Sequence, residues 1–168
     1  MKAKLLLLIL FLGTVAMIAV MRWHGAPLIT PVSKAGIVSL ELAKSTEQAT
    51  IIINQWQQNN LIQQAINNTY IDFVFIIFYA LFLYAYCFYI SIKQQPWAGA
   101  ISRTLALAAL TAGLCDVIEN YCMLQMLQGS VTSAHAFLSW LFAVIKFGLL
   151  MAVILWSLLN LHVLFRKR

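Results

Sequence analysis

Four ionisable side chains lie inside long apolar stretches of this sequence: Asp72, Asp116, Glu119 and Lys146. Each costs about 2.5 to 3.5 kcal/mol at the centre of a bilayer, so each asks for a partner or a task. Asp116, Glu119 and Asn120 are spaced i, i+3, i+4 and share one helix face. Ala109, Ala112 and Gly113 continue that face, where small residues admit a close neighbour helix or leave a hollow below the acids. Lys146 falls at heptad spacing with Ser139, Val153 and Asn160, and Ala143, Leu150 and Ser157 complete a seam that turns it toward other helices. Asp72, Tyr79 and Tyr86 form a third stripe, also seven apart.

The candidate interior cluster is therefore Asp116, Glu119, Asn120 and Lys146, with Asp72, Tyr79, Tyr86 and Ser139 as secondary lining. Two carboxyls of that cluster face one ammonium, so one is left short of a counter-ion and becomes a candidate for binding a proton or a ligand. As an enzyme, the cluster would use Glu119 or Asp116 as acid or base and Lys146 to stabilise charge. As a purely structural device, it is an interhelical ion pair that fixes the packing of otherwise apolar helices. Asp72 also reads as an acid at the start of its helix, favoured there by the helix dipole.

The elements that must hold these residues are membrane spans. The chain has 168 residues, 62% hydrophobic and 10% charged, with mean hydropathy +0.86, which is outside the range of soluble domains. Uncharged runs near the roughly 20 residues that a bilayer requires occur at about 5–22, 70–92, 104–127 and 137–165. The expected fold is all-α, a four-helix transmembrane bundle in a single membrane domain. The first run could be a signal peptide, but Val20-Met21-Arg22-Trp23 offers no small-x-small cleavage site, so it reads as a retained anchor. Seven Lys or Arg residues lie on the side of the termini and of Lys93 and Arg103, against Arg22, Lys34 and Lys44 on the other, which places both termini in the cytoplasm. Counted along the helices, Asp116 and Glu119 lie roughly 18 and 22 Å above the cytoplasmic face, and Lys146 roughly 28 Å from Phe165 along an untilted span. The connection 93–103 is short enough to make the second and third spans antiparallel neighbours.

The segment 23–69 is the one large feature outside the membrane. It opens with Gly25, Pro27 and Pro31, shows Ile37, Val38, Leu40 and Leu42 around Glu41, and then restarts at Ser45-Thr-Glu-Gln48, the pattern of a capping box. From Thr46 to about Gln58 the spacing predicts a helix with Ala49, Ile52, Ile53 and Trp56 on its apolar stripe, resting on the bundle or the outer leaflet. Asn67-Asn68-Thr69 matches a glycosylation sequon, a weak signal.

Gly36-Ile-Val-Ser-Leu-Glu-Leu-Ala43, Trp56, Asp72 and Asp116-Val-Ile-Glu-Asn120 together resemble a family of small bacterial four-span membrane proteins to which no activity is assigned. The resemblance implies a bacterial origin, hence the cytoplasmic (inner) membrane, and brings no reaction with it.

Other chemistries are poorly supported. Cys87, Cys115 and Cys122 show no C-x-x-C and read as small buried hydrophobes, so neither a metal site nor disulfide exchange is suggested. His24 and His135 could form an axial haem pair, but histidines at an interface are more often solvated, and no cofactor is expected. No basic patch interleaves with aromatics, so nucleic acid is not an expected partner. Membrane lipids are, along with a second copy or a larger membrane complex. The leading expectation is a non-enzymatic binding or accessory protein whose interior cluster holds a lipid-like or other small ligand. The rivals are an enzyme on a membrane-dissolved substrate and a proton-coupled carrier.

Overall fold

The computed structural model describes residues 2–164. The described chain is all-α, with helices α1 (Lys2–Gly25), α2 (Ile37–Glu41), α3 (Thr46–Gln58), α4 (Ile62–Ser91), α5 (Pro96–Leu127) and α6 (Ser133–Leu159), and single 3-10 turns at Ala26–Leu28 and Leu161–Leu164. Four of these helices, α1, α4, α5 and α6, are long and apolar enough to cross a bilayer, so the chain is a multi-pass membrane protein.

The helix ends depart from the uncharged runs in ways the local chemistry explains. α4 starts at Ile62 instead of near residue 70, because its polar first turns find partners. Gln63 donates to Asn67 Oδ1 at 2.9 Å and Gln64 donates to the His24 carbonyl at 2.6 Å. α5 starts at Pro96, whose fixed φ suits the first helical position, so the 93–103 connection shrinks to a turn. α6 is capped at Thr132, whose Oγ1 accepts from the His135 amide at 3.1 Å, and it ends at Leu159. Asn160 closes it, its Oδ1 accepting from Gln94 at 2.7 Å, and Phe165 lies outside the described residues. Measured from Leu159, Lys146 sits roughly 20 Å up its helix.

α5 packs along both α4 and α6. The small-residue face of α5 serves close approach: a Cβ at Gly113 would stand 3.0 Å from that of Ala80 on α4. α1 leans on α4, with Phe11 against Phe82 at 5.5 Å between ring centres and Leu7 buried, and leaves most of its other apolar side chains exposed. Cys87, Cys115 and Cys122 are free thiols and buried.

The segment between α1 and α4 folds onto one end of the bundle. α3 has the predicted limits, and its N-cap is formed: the Gln48 amide donates to Ser45 Oγ at 3.3 Å, while Gln48 Oε1 reaches back one residue beyond the cap to accept from the Lys44 amide at 3.2 Å. Ala49, Ile52, Ile53 and Trp56 are buried with Leu28, Leu40, Met123, Met126, Leu127 and Ala136, so α3 caps the bundle. Trp56 is its anchor, fully buried, with Nε1 donating to the Leu28 carbonyl at 3.0 Å and to Ser33 Oγ at 3.2 Å. Within the sequon Asn67 is exposed, while Asn68 and Thr69 are buried in α4 and the Thr69 hydroxyl donates to the Ala65 carbonyl at 3.0 Å. Gly36, at φ +61°, makes the turn that sends α2 back toward the membrane helices.

Candidate functional site

α2, α4, α5 and α6 each deliver polar groups to one place. Lys146 projects inward from α6 and is 5% exposed. Its Nζ lies 2.9 and 3.0 Å from the two Glu119 carboxyl oxygens, 3.0 Å from Asp116 Oδ1 and 3.3 Å from Glu41 Oε2. One ammonium thus serves three carboxyl groups, matching its three N–H donors. The second Asp116 oxygen accepts from the Tyr79 hydroxyl at 2.6 Å, and Asn120 Nδ2 donates to Asp72 Oδ2 at 2.6 Å.

Asp116, Glu119, Asn120 and Lys146 therefore share one interior with Asp72 and Tyr79. Two residues expected to line it do not. Tyr86 lies two turns further along α4, where its hydroxyl donates to the Ser157 carbonyl at 3.0 Å. Ser139 is two turns from Lys146 on α6, and its buried Oγ meets no partner among the described residues. Asp72 is not a helix-start acid either. With α4 beginning at Ile62, it sits in the third turn and serves as acceptor for Asn120. His24 and His135 are engaged separately, with Asn68 and with the Ser130 carbonyl.

Glu41 is the member that sequence reasoning missed. It belongs to a segment read as lying outside the membrane, and α2 is too short for its periodicity to show which side faces inward. The available signal was compositional. Glu41 is the single charge in Gly36-Ile-Val-Ser-Leu-Glu-Leu-Ala43, so burying those apolar neighbours carries a carboxyl inward with them. Of the five acidic residues in the chain, four converge here and only Glu47 stays away.

Burial raises the Glu41 carboxyl above its ordinary value of 4.5; Lys146 opposes the rise and Asp116 reinforces it. A carboxyl whose folded pKa exceeds its unfolded one contributes stability that is complete below the unfolded value and lost as pH rises through the folded one. Glu41→Gln should therefore flatten the loss of stability as pH rises above about 4.5. Thermal unfolding in detergent across that range measures it, and parallel profiles for wild type and variant would refute the assignment. The charged groups around Glu41, namely Asp72, Asp116, Glu119 and Lys146, are the same in both proteins.

Beside the cluster is a cavity of about 760 Å³ between α1, α4 and α6, roofed by residues 35–41. α1 packs on α4 and α6 on α5, so α1 and α6 face each other across it. Glu41, Asp72, Asp116 and Lys146 line its polar end, while Phe82, Leu83, Leu150 and Ile154 line the rest. A chamber of this size, mostly apolar with a few convergent polar groups, is the usual form of a small-molecule site. No group of three or more metal-ligating side chains is placed to hold a metal ion among the described residues. No protein-family model matches the chain, and neither the curated proteins nor the solved structures compared with it include a similar one.

Proposed function

We propose that this chain is a bacterial inner-membrane binding protein, non-enzymatic, with both termini in the cytoplasm and residues 23–69 on the opposite side. Its ligand is an amphiphile taken from the bilayer. The observation that carries this reading is the cavity: an apolar chamber between membrane-spanning helices with an ionisable cluster at one end. That pairing suits a molecule with a polar head and a hydrocarbon tail. The enzyme reading is weaker because Lys146, its charge stabiliser, already donates to three carboxyl groups. The family resemblance and the Lys and Arg distribution support the bacterial membrane and the orientation.

A phospholipid bearing a photoreactive diazirine in its acyl chain tests the reading. At one equivalent in detergent, crosslinks should concentrate on Phe82, Leu150 and Ile154 in the cavity. They should spare Leu107 and Leu114, which are 62% and 65% exposed on the outer face of α5. Leu150→Trp, which fills the chamber, should abolish the cavity crosslinks. An even distribution over exposed apolar faces, unchanged by Leu150→Trp, would refute it.

A further inference from the structure

The polar groups that the cavity offers are sorted by sign. Asp116 and Lys146 are occupied, Asp116 by Lys146 and Tyr79, and Lys146 by its three carboxyl groups. Two acceptors remain on one face of α4, one helical turn apart. Asp72 Oδ1 has no partner among the described residues, since Asn120 bonds only Oδ2. Asn68 is fully buried and lines the cavity; its Nδ2 is bonded to His24 Nδ1, which leaves Oδ1 without a partner. Glu41 adds a further carboxyl at the same end. This end offers acceptors and negative charge, and so calls for a cationic donor.

Arg22 of α1 lines the same cavity and has neither a hydrogen bond nor an ion pair among the described residues. A guanidinium beside an apolar chamber is the group best shaped to take a phosphate, through paired N–H donors. Below both, the chamber runs from Asp72 to Leu83 on α4, about 16 Å at the helical rise, along an apolar wall that suits a hydrocarbon chain.

We propose that the ligand is a glycerophospholipid whose headgroup ends in a primary ammonium, with the ammonium at Asp72 and Asn68 and the phosphate at Arg22. This rests on the binding reading above and names its ligand class. A primary ammonium carries N–H donors for both acceptors, whereas a quaternary ammonium has none. An anionic head without an amine would set its charge against Asp72 and Glu41.

The test is native mass spectrometry of the full-length protein in detergent with equimolar phosphatidylethanolamine, phosphatidylcholine and phosphatidylglycerol of identical chains. Wild type should retain the ethanolamine lipid at least about fivefold over each of the others, a difference of about 1 kcal/mol. Asp72→Asn, which is isosteric and can still accept from Asn120, should erase that preference by lowering retention of the ethanolamine lipid more than that of phosphatidylcholine. Arg22→Gln, at an exposed position, should lower retention of all three by a similar factor. Equal retention by wild type, preference for the glycerol lipid, or a preference that survives Asp72→Asn would overturn the proposal. If lipids bind without headgroup preference and Leu150→Trp still expels them, the ligand class fails and the binding reading stands. If no lipid is retained by any variant, both fail.

Discussion

Lys146→Met is expected to lower the stability of the protein in detergent by about 3 to 5 kcal/mol. The variant keeps a side chain of similar length but leaves the Glu41, Asp116 and Glu119 carboxyls together without their shared cation. Uncompensated buried charge is the costly state, because the desolvation penalty remains after the attraction has gone. Neutralising a carboxyl in the Lys146→Met background should therefore recover part of the loss, and the size of the recovery should follow burial. Glu119→Gln should recover most, since Glu119 is fully buried and both its oxygens face Lys146. Asp116→Asn should recover less, because the Tyr79 hydroxyl already stabilises Asp116. Glu41→Gln should recover least: α2 is five residues long and can swing its carboxyl toward water. Denaturant unfolding followed by circular dichroism gives the ranking. Full stability in Lys146→Met alone would mean that the cluster does not hold the bundle together.

The second large effect is expected at Trp56. Trp56→Ala removes a fully buried indole from the cap over the bundle, at a cost of about 3 to 5 kcal/mol. Because Trp56 ties α3 to Leu28 and Ser33, the loss should fall on the segment from Ile29 to Asn60 before it reaches the membrane helices. Amide hydrogen exchange should accelerate across that segment and stay slow in α5. Trp56→Phe keeps most of the volume and forfeits only the Nε1 donor. It should cost about 1 kcal/mol, since the Leu28 carbonyl still accepts from Ser33 Oγ at 2.6 Å. Equal effects of the two variants would mean that the hydrogen bonds, not the packing, secure the cap. Glu41 reaches Lys146 only while this segment is docked, so Trp56→Ala should also raise exchange at α2.

Much of this architecture was legible in the residues. The spans could be read because hydrocarbon thickness imposes a length that few uncharged runs meet by chance. Lys146 could be turned inward by its heptad seam, and Asp116 and Glu119 placed on one face by helical spacing. Glu41 could not be found in this way. It reaches the cluster through a turn at Gly36 and the docking of α3, tertiary events with no periodicity of their own. The helix-start reading of Asp72 failed for a related reason. Polar residues before the apolar run looked like a loop, yet the side-chain nitrogens of Gln64 and Asn68 bond to His24 at the end of α1, which lets α4 start two turns early. The same heptad spacing that located Lys146 overreached at Tyr86 and Ser139: it fixes a face of the helix but not a depth.

The cavity is the central feature, and native mass spectrometry of the gently extracted protein, with no added ligand, addresses it most directly. Wild type is expected to carry one amphiphile per chain, lost in Leu150→Trp while the circular dichroism spectrum is unchanged. Bare protein in both samples, or the same adducts on both, would contradict the account.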